Sequence, residues 1–164
     1  MWVMVDVEAD GPSPGLFSMT EFGAIIIDSS KDIFKMPRFH GKFSFKDGLK
    51  EDQQATLAIA GERDRSEIPW DSLVDVSYVG YTHSYIMEAF KQWLQNNIEG
   101  RPLFISDNNG FDWQYINYYF HKYTGENPFG HSSTNMGSLY KGLVKNARVN
   151  FKHLREVKHT HHPI

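Results

Sequence analysis

Trp2-Val3-Met4-Val5-Asp6-Val7-Glu8-Ala9-Asp10-Gly11 is the stretch on which the reading of the fold turns. Val3, Val5 and Val7 recur at every second position, and the run stops at Ala9-Asp10-Gly11-Pro12, so it reads as a buried strand that ends in a turn. The same period points the Asp6 and Glu8 carboxylates to one common face, with Cα atoms about 6.5 to 7 Å apart. Carboxylates are depleted in strands, and these two end an apolar run expected to be buried, so their charge calls for compensation. Oxygen ligands of this kind suit Mg2+ or Mn2+, and two such ions a few ångströms apart are a standard device for hydrolysing a phosphodiester. Two solvated carboxylates at a strand end is the plainer reading, and the D-x-E pair alone does not separate the two.

Outward from this strand, Glu21 to Asp28 reads as a second strand. Phe39 to Phe45, where Phe39, Gly41, Phe43 and Phe45 alternate with polar residues, reads as a third. Residues 47 to 81 hold no sustained period and are broken at Gly61 and Pro69, so a long excursion with one short helix is expected there. Ile86, Phe90, Trp93 and Leu94 set a helix over Ser84 to Ile98, stopped by Gly100 and Pro102. Leu103 to Ser106 is a short apolar strand. Asp112 to Tyr123 carries Ile116, Tyr119, Phe120 and Tyr123 on one helical stripe, and a further helix is expected from Asn135 to Leu143. The order fits an α/β fold: a mixed central sheet, antiparallel in its first three strands and parallel later, flanked by helices.

Composition narrows the class. The 164 residues are 40% hydrophobic and 23% charged, as in an ordinary globular domain, and area scaling lets about 70% of the chain's surface be buried. The absence of cysteine excludes a disulfide framework, a thiolate zinc site and a cysteine nucleophile, and it fits a reducing compartment, with the cytoplasm the expected location. No apolar run approaches the ~20 residues of a membrane span, and the N-terminus lacks the basic segment of a signal peptide, so no membrane partner is expected. The net charge of −3 is unevenly spread: residues 141–164 carry six Lys and Arg against Glu156 alone. That basic tail is either a solvated surface or a contact for phosphates.

Asp112 is the next candidate, because it opens a helix straight after a strand and a Ser106-Asp107-Asn108-Asn109-Gly110 turn; an acid favoured by the helix dipole is its ordinary explanation. The cluster His159-Thr160-His161-His162 offers imidazoles for proton transfer near neutral pH or a decorated terminus. No H-E-x-x-H helix supports a zinc reading of it. Gly11-Pro12-Ser13-Pro14-Gly15 matches the G-x-S-x-G pattern of serine hydrolases, but the residue after that nucleophile must donate a backbone N–H and Pro14 has none. Neither a G-x-x-x-x-G-K-S/T loop nor a G-x-G-x-x-G fingerprint follows the first strand, which argues against nucleoside triphosphates and NAD.

Together these elements resemble the DEDDh branch of the DEDD 3′–5′ exonucleases. The resemblance rests on Val5-Asp6-Val7-Glu8-Ala9-Asp10-Gly11, Glu21-Phe22-Gly23-Ala24, Asn109-Gly110-Phe111-Asp112 and the start of an H-x-x-x-x-D motif at His161-His162-Pro163-Ile164. Their order and separation match over nearly the whole chain. The resemblance implies a ribonuclease H-like fold, two Mg2+ or Mn2+ ions per site, and release of nucleoside 5′-monophosphates from a single-stranded RNA or DNA 3′ end. Asp6 is expected to bridge both ions, Glu8 to hold the ion that carries the attacking water, Asp112 to support the second ion, and His161 to accept the proton. For the substrate, Ala9, Asp10, Phe17, Asn109 and Trp113 are the expected contacts, with Phe17, Phe111 and Trp113 as stacking rings; for Phe111 core packing is the better reading.

Within the family, Asn108-Asn109-Gly110-Phe111-Asp112-Trp113 and the compact domain look closer to the ribonuclease T-like exoribonucleases, so RNA is slightly preferred over DNA. The family's fourth carboxylate, counted from His161, falls at position 166, beyond Ile164. Residues 1–164 are therefore expected to be a single exonuclease domain, cut before that acid and a C-terminal helix, and weakly active. The missing acid keeps a second class open, a non-catalytic module of the same fold that binds nucleic acid or protein, and homodimer formation is open as well.

Overall fold

Val3, Val5, Val7 and Ala9 are buried on one face of strand β1 (Trp2–Ala9) in the computed structural model, which describes residues 1–61 and 73–155, and over 58–61 the backbone alone. The chain continues through β2 (Met19–Ile27), β3 (Arg38–Lys42), α1 (Gln53–Gly61), β4 (Leu73–Val76), α2 (His83–Asn97), β5 (Leu103–Ser106), α3 (Asn109–Thr124), β6 (Ser133–Asn135) and α4 (Met136–Leu143). The strands form one sheet in the order β4-β3-β2-β1-β5-β6. β1–β2 and β2–β3 are antiparallel, while β3–β4, β1–β5 and β5–β6 are parallel, as the α/β reading anticipated.

Register explains the core. Val7 faces Phe22, Val5 faces Ala24 and Val3 faces Ile26 across β1 and β2, and Phe39 continues the row on β3. Against this face pack Ile86, Met87, Phe90, Trp93 and Leu94 of α2 and Tyr115, Ile116, Tyr119 and Phe120 of α3, all buried. Gly41 is required where it stands, since a Cβ there would sit 2.4 Å from the Phe22 ring. α2 starts at a Thr82 cap whose Oγ1 accepts from the Tyr85 N–H at 3.2 Å.

Several elements differ from the expectations, β2 among them, which starts at Met19 rather than Glu21. β3 stops at Lys42 rather than Phe45, because its partner β2 has reached a bulge: Glu8 pairs with Glu21 but Ala9 with Met19, and Phe43 N–H donates to the odd residue, Thr20. The stretch 47–81 contains, besides one short helix, the edge strand β4, and β6 precedes α4. At four and three residues these strands are too short to show a period, and β6 is half-buried throughout. Helix α3 begins at Asn109, three residues before Asp112, so Asp112 lies in its first turn. Among the described residues no helix is long and apolar enough to cross a membrane. His159, His161 and His162 lie outside the described residues, as does Pro69.

Candidate active site

The site forms where two parallel strands part. β1 and β5 stay in register only from Trp2–Leu103 to Met4–Ile105, after which the chain leaves Ser106 and turns into α3. The edge of β1 beyond Met4 thus loses its strand partner, and Asp112 fills the gap: its Oδ1 accepts the Val7 N–H at 3.2 Å. A crevice at the carboxyl ends of diverging strands is where open α/β sheets take their ligands.

Asp112 is 1% exposed, and its Oδ2 has no hydrogen-bond partner among the described residues. Burial, and next the charge of Asp6, push its carboxyl up to about 7, against the opposing pull of the Ser106 hydroxyl and the Val7 N–H. Asp6 is exposed and Glu8 half-buried on the sheet face opposite the core, so the common face expected for them is observed. Of the three carboxylates the buried one is Asp112. The bulge lies directly after Glu8, and the Glu8 carbonyl accepts Thr20 Oγ1 at 3.1 Å, which fixes the strand end at that residue.

A hard cation fits this donor set. The available donors are carboxylate oxygens, and one of them, Asp112 Oδ2, is buried without a hydrogen-bond partner among the described residues. Among the described residues no group of three His, Asp or Glu side chains already converges as a closed cage.

The expected substrate contacts divide. Asp10 is 1% exposed and turned inward: its Oδ1 accepts the Ser18 N–H at 2.6 Å and its Oδ2 lies 3.4 Å from Lys46 Nζ. It closes the loop after β1. Ala9 is likewise buried, as the last inward residue of β1. The Phe17 ring lies on Gly11, where a Cβ would meet it at 2.0 Å, so glycine is required by the ring. Trp113 packs edge-on against Phe104, with centroids 5.0 Å apart, and against Phe129 at 6.5 Å, so its ring lines the core's edge. Phe111 is half-buried against Tyr115. Asn109 Nδ2 donates to Ser133 Oγ at 2.9 Å, while its Oδ1 is buried without a partner.

Two features escaped the sequence reading. Glu21, His40 and Asp75 form a chain on the Asp6 and Glu8 face: His40 Nε2 is 2.6 Å from Glu21 Oε1 and Nδ1 is 2.9 Å from Asp75 Oδ1. Glu21 stands opposite Glu8 in the register, a relation visible only once β1 and β2 are paired. Asp107, in the turn before α3, accepts Asn135 Nδ2 on its carbonyl and pairs through its carboxylate with Arg155. The only sequence signal for this was the positive charge of the tail.

No protein-family model matches the chain. It is 32% identical over 145 residues to the 3′-5′ DNA exonuclease Cap18 of Escherichia coli, a match covering 87% of this chain and 69% of that protein. Solved structures of E. coli exonuclease I share the fold. The complex with a dA16 oligonucleotide superposes with a TM-score of 0.57 at 15% identity over 87% of this chain. The zinc-bound complex with single-stranded DNA gives 0.54 at 15% identity over 87%. The chain spans 29% of those exonuclease I chains, less than a third of their length. By its relation to the Cap18 nuclease, and by its ribonuclease H-like sheet with acids at the strand ends, the chain belongs to the DEDDh superfamily of 3′–5′ exonucleases, a family of hydrolytic nucleases.

Proposed function

We propose that this chain removes nucleotides from the 3′ end of a single-stranded nucleic acid, with Asp6, Glu8 and Asp112 holding two divalent cations, Mg2+ or Mn2+. The observation that carries this reading is Asp112 at the parting of β1 and β5, with its Oδ2 buried and without a hydrogen-bond partner among the described residues and its carboxyl pushed up by burial and then by the charge of Asp6. Divalent cations at such a site supply a nucleophile at neutral pH and neutralise charge on the leaving 3′-oxygen. The chain's own part is geometric. Val7 N–H fixes Asp112, the bulge fixes Glu8, and the first turn of α3 sets the depth of the crevice. His161, outside the described residues, is the proposed base that takes the proton from the attacking water, and a nucleoside 5′-monophosphate leaves.

DNA is proposed ahead of RNA as substrate, since the relative at 32% identity is named a DNA exonuclease; the resemblance of residues 108–113 to the ribonuclease T-like branch keeps RNA as the alternative. The second reading, a binding module without turnover, is favoured by the absence of a closed three-ligand cage among the described residues. A time course of 5′-labelled single-stranded DNA and RNA with Mn2+ tests all of this. The expected result is a ladder shortening from the 3′ end, faster on DNA, and slowed about a thousandfold by Asp6→Asn, the equivalent of roughly 4 kcal/mol. Retained oligonucleotide binding with no ladder would favour the binding module.

A further inference from the structure

The loop between Glu8 and β2 is held by α3, the helix that carries Asp112, and it is held by phenol hydroxyls. Tyr115 Oη donates to the Gly11 carbonyl at 2.7 Å, near the loop's start. At its end, the Met19 N–H donates to Tyr119 Oη, also at 2.7 Å. Tyr119 Oη in turn donates to Asp47 Oδ1 at 2.5 Å, and Tyr123 Oη donates to Asp47 Oδ2, which also receives Lys122 Nζ at 2.9 Å. Asp47 passes the restraint back, because its own N–H and that of Gly48 donate to Ser18 Oγ at 3.0 and 2.9 Å.

Residues 112, 115, 119 and 123 fall on one face of a 3.6-residue helix. One row therefore begins with the carboxylate of the site and continues with three tyrosines whose hydroxyls converge on the loop after Glu8 or on the segment strapped to it. Tyr115 and Tyr119 are fully buried, and phenylalanine would fill their ring space equally well; what tyrosine adds is the hydroxyl. Asp112 accepts one β1 backbone hydrogen bond, from Val7 N–H, while the buried Tyr115, Ile116, Tyr119 and Phe120 seat α3 on the core. The phenol row adds polar restraints that tie this helix to the loop beside Glu8, where Gln114 Nε2 also donates to the Pro12 carbonyl at 2.9 Å.

We propose that Tyr115, Tyr119 and Tyr123, with Asp47, are positioning residues that set the distance between Asp112 and the Asp6–Glu8 strand end, and so the cation affinity of the site. The inference rests on the cation-site reading above. None of the four touches the reacting atoms, so their effect acts through α3 and the loop, as outer-shell partners act on ligands.

The experiment is calorimetric titration of Mn2+ into the full chain, without nucleic acid, at a temperature where every variant is folded. Tyr115→Phe and Tyr119→Phe should weaken Mn2+ roughly tenfold. Trp93→Phe, a core substitution under α2 chosen to lower the melting temperature by a similar amount, should leave Mn2+ affinity unchanged. Wild-type affinity in both tyrosine variants overturns the clamp alone, and so does an equal loss in Trp93→Phe. A wild-type chain that takes up no Mn2+ overturns the cation site together with the clamp. A wild-type chain that takes up Mn2+ but shortens no oligonucleotide overturns only the hydrolytic reading, and the tyrosine variants still decide the clamp.

Discussion

A buried carboxyl group with Val7 N–H on one oxygen and, among the described residues, no hydrogen-bond partner on the other is a poor contributor to stability and a good cation ligand. Because burial and Asp6 raise Asp112 from 3.8 to about 7, the native chain holds a proton there that the unfolded chain has released over that interval. The sign follows directly: without metal, stability falls as pH rises from about 4 through 7, by up to roughly 4 kcal/mol. Asp112→Asn keeps an oxygen for Val7 N–H and removes the charge. The variant is expected to flatten that window and to melt several degrees higher than wild type at pH 8 in chelator, at roughly 2 to 4 °C per kcal/mol, while losing nuclease activity. Thermal melts between pH 4 and 8 check this, and parallel pH profiles for the two proteins would refute the assignment.

Among the elements, the β1–β2 connection decides how the site is held. Its bulge follows Glu8, and its loop is closed by Asp10 on Ser18 N–H, by Lys50 N–H on the Leu16 carbonyl and by Asp52 N–H on the Asp10 carbonyl. Gly11 lies at the centre of this closure, with the Phe17 ring where a side chain would be. Gly11→Ala is expected to destabilise the chain by about 1 to 3 kcal/mol, the range of overpacking. Adding Phe17→Ala should recover part of the loss, because alanine lacks the Cγ and Cδ1 atoms that lie 2.2 and 2.0 Å from that Cβ. Urea unfolding of the single and double variants measures it, and strictly additive losses would mean that the ring is not the obstacle.

For the whole molecule, the question is how an acidic chain holds a polyanion. Lys141, Lys145, Arg148 and Lys152 are all exposed on the last described segment, while Arg155 pairs with Asp107 beside the turn into α3. That pairing places Arg155 at the turn that leads into the helix of Asp112, and we propose that the exposed cations of this segment contact upstream phosphates of a bound strand. Binding of a single-stranded oligonucleotide by the inactive Asp6→Asn chain should weaken with salt, with a log–log slope of about 0.7 per phosphate contacted. Lys145→Gln with Arg148→Gln should lower that slope by about one unit if both make contacts. A slope unchanged in the double variant would assign these cations to solvent.

The sequence by itself determined the β1 alternation, the shared face of Asp6 and Glu8, the amphipathic α2 and α3, and the family. Each of these is carried by a local period or a motif of contiguous residues, and the residue's neighbours in the chain suffice to read it. The short strands β4 and β6 left no period to read. The state of Asp112 was undecidable from its neighbours, because its burial and its charge partner come from β1, more than a hundred residues away. For the same reason the closure of the loop after β1 by Asp10 and the packing of Trp113 on Phe104 could not be read locally, nor could the joining of Tyr119 and Tyr123, which read as stripe, to Asp47 and through it to the loop after Glu8. Hydrogen bonds between segments distant in the chain depend on strand register and helix rotation, and only the assembled sheet and helices fix those.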